Sequence, residues 1–404
     1  MNLYAIFVLC LSFYNSPDSI IRGIYLNPYK AGKRDYLRRV FELAQNGDIN
    51  TIVVDLKSDY GYLCYKTDFK LAKELKAFKD YIDLDYLIES CKKNNVKLIA
   101  RIVCFRDNYL APYEDCAITD TLGNIWYDKN RIAWLNPYNE KVHNYLIGVI
   151  EELNKKGINS FALDYIRFPT DGDIRRINWP KGKTPRYEPF LRFLKKLKEK
   201  VNAEIGVCIF GYSVWFDLKN EGQEVSKFGE FVDVVYPMLY PSHFHPTFKK
   251  EVSEYWRNYW IYFDSVEEAF KKLPRRVKVI PFVQGFDLYA ENYNCDYIFW
   301  QILGAICADA DGILIWNPAS KYTTSFSPLR WAHNLVQCRA FPNSLNIRRR
   351  VLLNQYQDRI PDLSLSQLQN QRKNQTSPNP DIRSGSQPLK KIRRSLIPDR
   401  ILPW

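Results

Sequence analysis

Residues 157–169 read GINSFALDYIRFP, and this stretch indicates the fold more clearly than any other part of the 404-residue chain. A glycine typical of a helix end comes first, and the apolar run after it is typical of a buried strand. Pro169 ends the strand region, because proline has no N–H to donate to a sheet ladder. Asp164 is therefore predicted to lie where a strand of the core meets its loop.

The loop after this strand combines charge with aromatic rings. Arg167 follows Asp164 by three residues, and Tyr165 and Phe168 flank the pair. This combination suits a polar pocket with aromatic walls better than it suits a core. The alternative is an Asp–Arg ion pair that only closes the strand end.

Strand and helix patterns alternate over about 300 residues of this chain, which is 46% hydrophobic and long enough to bury a large core. Eight short apolar runs have the composition of strands: Ile21–Tyr29, Ile49–Leu56, Lys97–Phe105, Ser160–Phe168, Glu204–Gly211, Val232–Tyr240, Arg276–Val283 and Asp311–Asn317. Amphipathic stretches lie between them, at Lys33–Gln45, Leu84–Asn94, Glu140–Lys156, Pro189–Lys200, Val252–Leu273 and Tyr293–Asp309. The link at residues 221–229 is shorter and less clearly helical.

This alternation predicts parallel strands covered by helices, and eight strands is the number of a (β/α)8 TIM barrel. The alternative is an open, doubly wound sheet. A nucleotide-binding sheet of that kind needs a glycine-rich loop after its first strand. Residues 26–29 read LNPY instead, which favours the barrel.

The chain divides into three segments: residues 1–19, the barrel at 20–337, and a tail at 338–404. The apolar run Leu3–Tyr14 has the length of a signal-peptide core and is too short to span a bilayer. It lacks a basic start and a clear cleavage site, so a short buried N-terminal segment is the alternative. We expect a secreted or cell-envelope protein with no transmembrane span in the mature chain; the alternative location is the cytoplasm.

The net charge of +13 is concentrated in the tail. Residues 338–404 carry 13 Lys and Arg against 4 Asp and Glu, or +9, which leaves +4 for the rest of the chain. A nearly neutral body argues against a nucleic-acid partner. The tail has Ser, Gln, Asn and Pro clusters and no sustained apolar period, so we predict disorder. It is either a solvated extension or a contact for an anionic surface, and the first interpretation is favoured.

Metal, cofactor and Ser or Cys chemistry find little support in the sequence. The chain has four histidines with one His-x-His pair, whereas barrel metallohydrolases use several His on different strands. Nine cysteines include no CxxC pair, and Cys104 and Cys208 lie in strand-like runs typical of a core. No Gly-x-Ser-x-Gly elbow is present. We predict neither a metal nor a cofactor.

Polar and aromatic residues gather at the ends of the predicted strands, where a barrel builds its site. They are Asp55, Lys57, Asp59, Arg101, Asp107, Asp164, Arg167, Tyr236, Tyr240, His243, Gln284, Trp316 and Asn317. Glycoside hydrolysis uses two carboxylates, one that protonates the leaving oxygen and one that attacks or activates water. Asp164 is the first candidate, and Asp55 and Asp59 are candidates for its partner. Ion pairing with Lys57, Arg101 or Arg167 is the alternative, and for Asp59 it is favoured.

Eight segments in the same order resemble a bacterial family of TIM-barrel proteins classed as glycoside hydrolases, formerly a domain of unknown function. They are RGIYL (22–26), VVDLKSDYG (53–61), ARIVCFRD (100–107), WLNPY (134–138), DYIRFP (164–169), FGY (210–212), YPMLYPSH (236–243) and WN (316–317). The resemblance implies a barrel that acts on a polysaccharide or oligosaccharide, with Asp55 and Asp164 at catalytic positions. Asp59, Arg101, Arg167, Tyr236, Tyr240, His243, Gln284, Trp316 and Asn317 are then expected to bind substrate.

The chain departs from the family pattern at two strands. Cys208 stands where the family's fifth strand usually carries Asp, and Gly285 where the seventh usually does, with Asp287 two positions further on. If either acid is the catalytic partner, the chain binds glycans without cleaving them. A catalytically weakened, non-enzymatic carbohydrate-binding barrel is therefore the alternative function.

Overall fold

The structure is a computed structural model that describes residues 20–179, 184–250, 253–325 and 327–330. The predicted signal-peptide segment at 1–19 and the predicted basic tail at 338–404 lie outside the described residues. The predictions of export and of a disordered tail therefore stay predictions.

Eleven described strands form one sheet. They are β1 (Ile21–Leu26), β2 (Thr51–Lys57), β3 (Leu63–Tyr65), β4 (Phe78–Ile82), β5 (Lys97–Val103), β6 (Ser160–Asp164), β7 (Glu204–Phe210), β8 (Val234–Met238), β9 (Lys278–Val279), β10 (Phe282–Gln284) and β11 (Gly312–Trp316). The sheet closes because β1 pairs in parallel with both β2 and β11. Around the ring the order is β1, β2, β5, β6, β7, β8, β10 and β11, with β9 on β8. This confirms the predicted eight-stranded (β/α)8 barrel.

The described helices run between the barrel strands and cover them. They are α1 (Pro28–Ala31), α2 (Arg34–Gln45), α3 (Lys70–Glu74), α4 (Leu84–Lys93), α5 (Glu140–Lys155), α6 (Glu188–Lys200), α7 (Val225–Phe228), α8 (Glu254–Lys272) and α9 (Cys295–Cys307). The six predicted helices are confirmed within two residues at each end. The weak link after β7 holds the four-residue α7. None of the described helices has the length and apolarity needed to cross a membrane.

Side-chain caps fix several of these helix starts. Asp83 accepts a hydrogen bond from the Tyr86 N–H at the start of α4, and Asn294 does the same for the Tyr297 N–H at α9. Such caps satisfy backbone donors that have no partner inside the helix. The buried residues of α5 include Val142, Leu146, Val149, Ile150 and Leu153. They are three or four residues apart, so they form one apolar face that packs on the barrel.

Two features of the sheet differ from the prediction. The seventh barrel strand is split into β9 and β10 at Pro281, which cannot donate to the ladder but accepts a hydrogen bond from the Leu314 N–H. In addition, β3 and β4 extend the sheet beyond β2, where Lys57 pairs antiparallel with Leu63. These strands are short, and exposed Lys79 and Asp80 interrupt β4, which is why the apolar pattern alone did not reveal them.

Candidate active site

Arg101 joins three carboxylates at the carboxyl end of the barrel. In the parallel register Asp55 of β2 lies beside Arg101 of β5, and Asp164 ends the neighbouring β6. The Nη1 atom of Arg101 lies 2.8 Å from Asp55 Oδ1, and Nη2 lies 3.1 Å from Asp59 Oδ1. Nε and Nη2 both donate to Asp164 Oδ2, at 2.9 and 2.8 Å. We call this set of four residues the Arg101 cluster.

Burial and neighbouring charges shift the pKa values of Asp55 and Arg101 in opposite directions. Burial raises the pKa of Asp55 from 3.8 to about 6, and Arg101 acts in the opposite direction. The Tyr25 hydroxyl also donates to Asp55 Oδ2 at 2.6 Å. Burial lowers the pKa of Arg101, but the charges of Asp55, Asp59 and Asp164 more than offset this and raise it above its ordinary value. The guanidinium therefore stays charged in the core.

Asp164 is oriented on both of its oxygens. Oδ2 accepts from Arg101, and Oδ1 accepts from the Tyr165 backbone N–H at 2.6 Å. Tyr165 has φ of 56°, in the left-handed region that a non-glycine residue enters only under constraint. The side chain of Asp164 is 10% exposed, and it lines the central cleft. A carboxylate with fixed oxygens is thus presented to whatever occupies this cleft.

A cleft lies at the carboxyl end of the barrel, where Asp164 ends β6. Its walls combine rings with charged groups: Arg101, Arg106, Asp128, Trp134, Asp164, Tyr165, Arg167, Thr170, Asp171, Phe210, Gly211, Tyr212, Leu218, Glu221, Met238, Tyr240, His243, Phe244, Phe282 and Trp316. A concave site that is mostly apolar and has a few convergent polar groups is typical of ligand binding.

Arg167 lies in this cleft in surroundings unlike those of Arg101. Its guanidinium carbon lies 4.6 to 4.9 Å from the ring centroids of Trp134, Tyr165 and Phe210. Nη1 donates to the Phe168 carbonyl at 3.1 Å and the Thr170 hydroxyl at 3.3 Å. Burial lowers the pKa of Arg167. We call Arg167 and the three rings the Arg167 box.

A family model described as "Putative glycosyl hydrolase domain" matches residues 23–322, from the first barrel strand to beyond the last. This chain belongs to that glycosyl hydrolase family. The resemblance found in the sequence is thereby confirmed, and the molecule is a glycosidase-like barrel. No curated protein matches the chain significantly.

Three solved structures are similar to this glycosyl hydrolase family member. A hypothetical protein from Ruminiclostridium thermocellum is 31% identical, with a TM-score of 0.42 over 44% of this chain and 92% of its own. The glycoside hydrolase domain of PgaB (BpsB) from Bordetella bronchiseptica is 11% identical, with a TM-score of 0.56 over 77% and 98%. The alpha-galactosidase AgaA from Geobacillus stearothermophilus is 10% identical, with a TM-score of 0.50 over 80% and 42%. At 10–11% identity, the last two show the fold alone.

Of the site residues predicted for this family member, the structure brings six to the cleft: Arg101, Asp164, Arg167, Tyr240, His243 and Trp316. Trp316 stacks on Tyr25 with ring centroids 3.7 Å apart, and the Arg101 guanidinium lies 4.9 Å from its ring. Burial lowers the pKa of His243 to about 4, so the imidazole is neutral at pH 7. Its Nδ1 lies 2.9 Å from the Ser242 hydroxyl.

Five predicted site residues do not line the cleft: Asp55, Asp59, Tyr236, Gln284 and Asn317. Asp55 and Asp59 contact Arg101, as described above. Tyr236 is fully buried in the barrel interior against Phe282, one inward layer below Met238 of the same strand. Gln284 accepts from the Ser242 N–H and donates to two loop carbonyls, and Asn317 donates to the Gly285 carbonyl. The last two side chains hold loops in place.

The polar residues Lys57 and Asp107 also lie away from the cleft. The register between β2 and β5 shifts after Asp55, which marks a β-bulge. Lys57 is consequently buried, with Nζ 2.8 Å from the Val103 carbonyl and 2.7 Å from Asp107 Oδ2. This ion pair fastens the ends of two barrel strands.

Sequence reasoning missed an ion pair in the cleft wall. Arg106 Nε donates to Asp128 Oδ2 at 2.8 Å, and the Trp134 indole N–H donates to the same oxygen at 3.1 Å. Asp128 Oδ1 accepts from the Asn130 and Ile132 N–H groups. Both partners lie on the long connection between β5 and α5, where no strand periodicity marks them. Their acid and base character was the signal available.

Asp171 was missed as well, although it follows the DYIRFP segment by two residues. It lines the cleft, and its side chain is 17% exposed. Burial and the nearby charge of Asp128 raise its pKa, while Arg167 and Lys129 act in the opposite direction. Lys129 Nζ lies 3.8 Å from Asp171 Oδ2. An acid on the loop after a barrel strand is the pattern that points to it.

The two positions where the sequence resemblance leads us to expect acids, Cys208 and Gly285, are packed tightly. Cys208 is buried in the barrel interior, and burial raises its pKa well above the usual value. A Cβ added at Gly285 would lie 2.4 Å from Ile315 Cγ2 and 3.0 Å from the Trp316 carbonyl. Asp287 is exposed and does not line the cleft. It therefore does not replace an acid at position 285.

Proposed function

We propose that this barrel hydrolyses a glycosidic bond of a polysaccharide, with Asp164 as the carboxylate that attacks the sugar or activates water. The observation that carries this proposal is the position of Asp164, which faces the cleft with both oxygens held by Arg101 and a backbone N–H. Three hydrogen bonds, two from Arg101 and one from the Tyr165 N–H, fix the direction in which the carboxylate points. Fixed orientation reduces the reorganisation needed in the transition state.

Asp55 acts, in this proposal, through Arg101 rather than on the sugar. It holds the guanidinium from the side away from the cleft, and Tyr25 holds Asp55 in turn. Asp55 was one of the two catalytic residues expected from the sequence. We now assign it the positioning of Arg101 and thereby of Asp164.

Asp171 supplies the second carboxylate, the general acid that protonates the leaving oxygen. It lines the same cleft as Asp164, and burial together with Asp128 raises its pKa. A general acid in a glycosidase needs a raised pKa, whereas its partner stays ionised. Asp128 is a poorer candidate, because Arg106, Trp134 and two backbone N–H groups already occupy its oxygens.

The test is release of reducing ends from a panel of polysaccharides by Asp164→Asn and Asp171→Asn variants. Asp164→Asn should abolish release while the melting temperature stays nearly unchanged, because Arg101 keeps Asp55 and Asp59 as partners. Asp171→Asn should slow release by about 10²–10⁴-fold, the usual contribution of general acid catalysis. Its effect should be much smaller on an aryl glycoside whose leaving group needs no proton.

Asp287→Asn serves as the matched control, because this exposed acid lies outside the cleft. It should leave release unchanged. A fully active Asp164→Asn variant would remove Asp164 from the mechanism. If Glu221→Gln, which changes another cleft-lining acid, reproduces the leaving-group pattern instead, the general acid is Glu221 and not Asp171.

A glycan-binding barrel without hydrolysis is the second candidate function. Cys208 and Gly285 favour it, because they replace the two acids that the family carries. The Arg167 box and Trp316 would still hold a sugar chain in such a protein. Binding of a polysaccharide by the full chain, with no reducing-end release at any pH, would support this second function.

A further inference from the structure

We infer that the polysaccharide held in this cleft is anionic, and that Arg167 binds a carboxylate or sulfate group on one of its sugars. The inference rests on the proposed function insofar as it concerns the same cleft. It adds the chemical class of the ligand. It stands on the surroundings of Arg167, which differ from those of the other two arginines in the cleft wall.

Arg167 has no carboxylate partner within the part of the chain that the structure describes. Arg101 and Arg106, by contrast, lie within 3.1 Å of acidic oxygens. All hydrogen bonds of Arg167 use Nη1, and both acceptors are uncharged. The Nε and Nη2 atoms thus keep their donors, and these two atoms form the planar edge that binds a carboxylate or sulfate bidentately.

Burial makes the charge of Arg167 costly, because no carboxylate of the described chain contacts it directly. Arg167 is only 8% exposed, and it lines the cleft. Cation–π contacts with Trp134, Tyr165 and Phe210 stabilise the guanidinium, but rings offer partial charge and not a full counter-charge. A buried cation without an ionic partner is rare in proteins. An anion arriving with the ligand would complete the site.

The neighbouring acids do not supply that counter-charge by direct contact. Asp164 is committed to Arg101, and Asp171 lies 3.8 Å from the Lys129 ammonium. No acidic oxygen of the described chain lies within 4.0 Å of the Arg167 nitrogens. Burial, the largest cause, and Arg106 lower the pKa of Arg167, while Tyr165, Asp171 and Asp164 raise it from a distance and offset burial only in part. This wall of the cleft is therefore suited to an anionic group of the ligand.

Binding to esterified and unesterified forms of one polymer tests the inference. The Asp164→Asn variant of the full chain would be titrated with polygalacturonate oligomers and with their methyl esters, which differ only in charge. Dextran sulfate and dextran oligomers form the sulfate arm. We expect the protein to bind either polygalacturonate or dextran sulfate at least tenfold more tightly than the matching uncharged oligomer. Adding Arg167→Gln should remove that preference, and Arg167→Lys should retain part of it.

Equal weakening of charged and neutral forms by Arg167→Gln would overturn the inference, since Arg167 would then serve sugar hydroxyls. A preference of the parent protein for neutral oligomers would overturn it too. If the Arg167→Gln variant does not fold, the affinities of the Asp164→Asn protein for the charged and the neutral oligomers still test the inference. Cleavage of neutral polymers with no charge preference would leave the hydrolase proposal standing and reject this one. Charge-selective binding by the protein, with no cleavage of any polymer, would support the anionic ligand and reject the hydrolase proposal.

Discussion

Arg101 and Arg167 stand at the carboxyl ends of neighbouring barrel strands, yet their surroundings are opposite. Arg101 contacts three carboxylates, and Nε, Nη1 and Nη2 all donate to them. Arg167 contacts three aromatic rings and two uncharged oxygens. In the proposed mechanism the first arginine positions Asp164, and in our inference the second offers donors to a ligand. The two proposals therefore assign positioning and recognition to different arginines of one rim.

The largest expected effect comes from removing the charge of Arg101. In Arg101→Met three carboxylates lose their shared partner, and Asp55 and Asp164 are buried. Breaking a buried ion pair on one side typically costs about 3–5 kcal/mol. Urea unfolding at pH 7 should show a loss of this size. The matched Arg167→Met should cost clearly less, because no carboxylate is stranded, and equal losses would contradict the contrast.

A smaller effect is the pH dependence of the free energy of unfolding that Asp55 contributes. Burial raises the pKa of Asp55 in the folded protein to about 6, above its ordinary value of 3.8. The folded protein therefore holds a proton between about pH 4 and 6 that the unfolded chain has released, and the contribution of Asp55 to stability falls as pH rises through this window. The fall is on the order of 2 kcal/mol.

The measurement is the free energy of unfolding from pH 4 to 7 for the parent protein and for Asp55→Asn. The decrease with rising pH should be missing from the variant. His143 and His243, whose pKa values burial lowers to about 4, change stability in the opposite direction in both proteins, so their contribution cancels in the difference. Parallel pH profiles would show that Asp55 titrates normally.

The smallest effect sharpens the description of the Arg167 box. Phe210→Leu keeps the apolar wall but removes one ring from the guanidinium, 4.6 Å away. Such a contact contributes about 0.5–1 kcal/mol at exposed sites and about 2 kcal/mol when desolvated, and the rings of Trp134 and Tyr165 remain in the variant. Binding of a charged oligomer should weaken by a few-fold with little change in melting temperature. Phe244→Leu, which alters a cleft ring not in contact with Arg167, is the control, and an equal loss there would show general packing instead.

The barrel could be predicted from the sequence because its signals are local. Each strand is an apolar run bounded by a helix end, and strand ends such as Asp164 mark the rim without any knowledge of contacts. The split at Pro281 was not predicted, since a proline inside a run does not reveal whether the strand bends or stops. The β3 strand was missed because it has only three residues, and β4 because it reads FKDYI, with exposed Lys79 and Asp80 interrupting any apolar run.

The site was predicted in part, because position along a strand does not fix depth or partners. Tyr236 and Met238 point to the same side of β8, but only Met238 reaches the cleft. Asp55 and Asp164 were both predicted at the rim, yet Arg101 lies between them and covers Asp55. Which carboxylate contacts a ligand depends on such pairing, which no spacing rule contains. Asp171 lies on a loop, where periodicity carries no information.

The close packing around Gly285 restricts the order in which this sequence can change. Gly285→Asp would drive a side chain into Ile315, 2.4 Å from the new Cβ, so the substitution is expected to be tolerated only after Ile315 has become smaller. Ile315 in turn belongs to the tightly packed layer between barrel and helices, where shortening it alone leaves a cavity. A sequence that acquires an acid at this strand would therefore pass through a less stable intermediate, whichever of the two positions changes first.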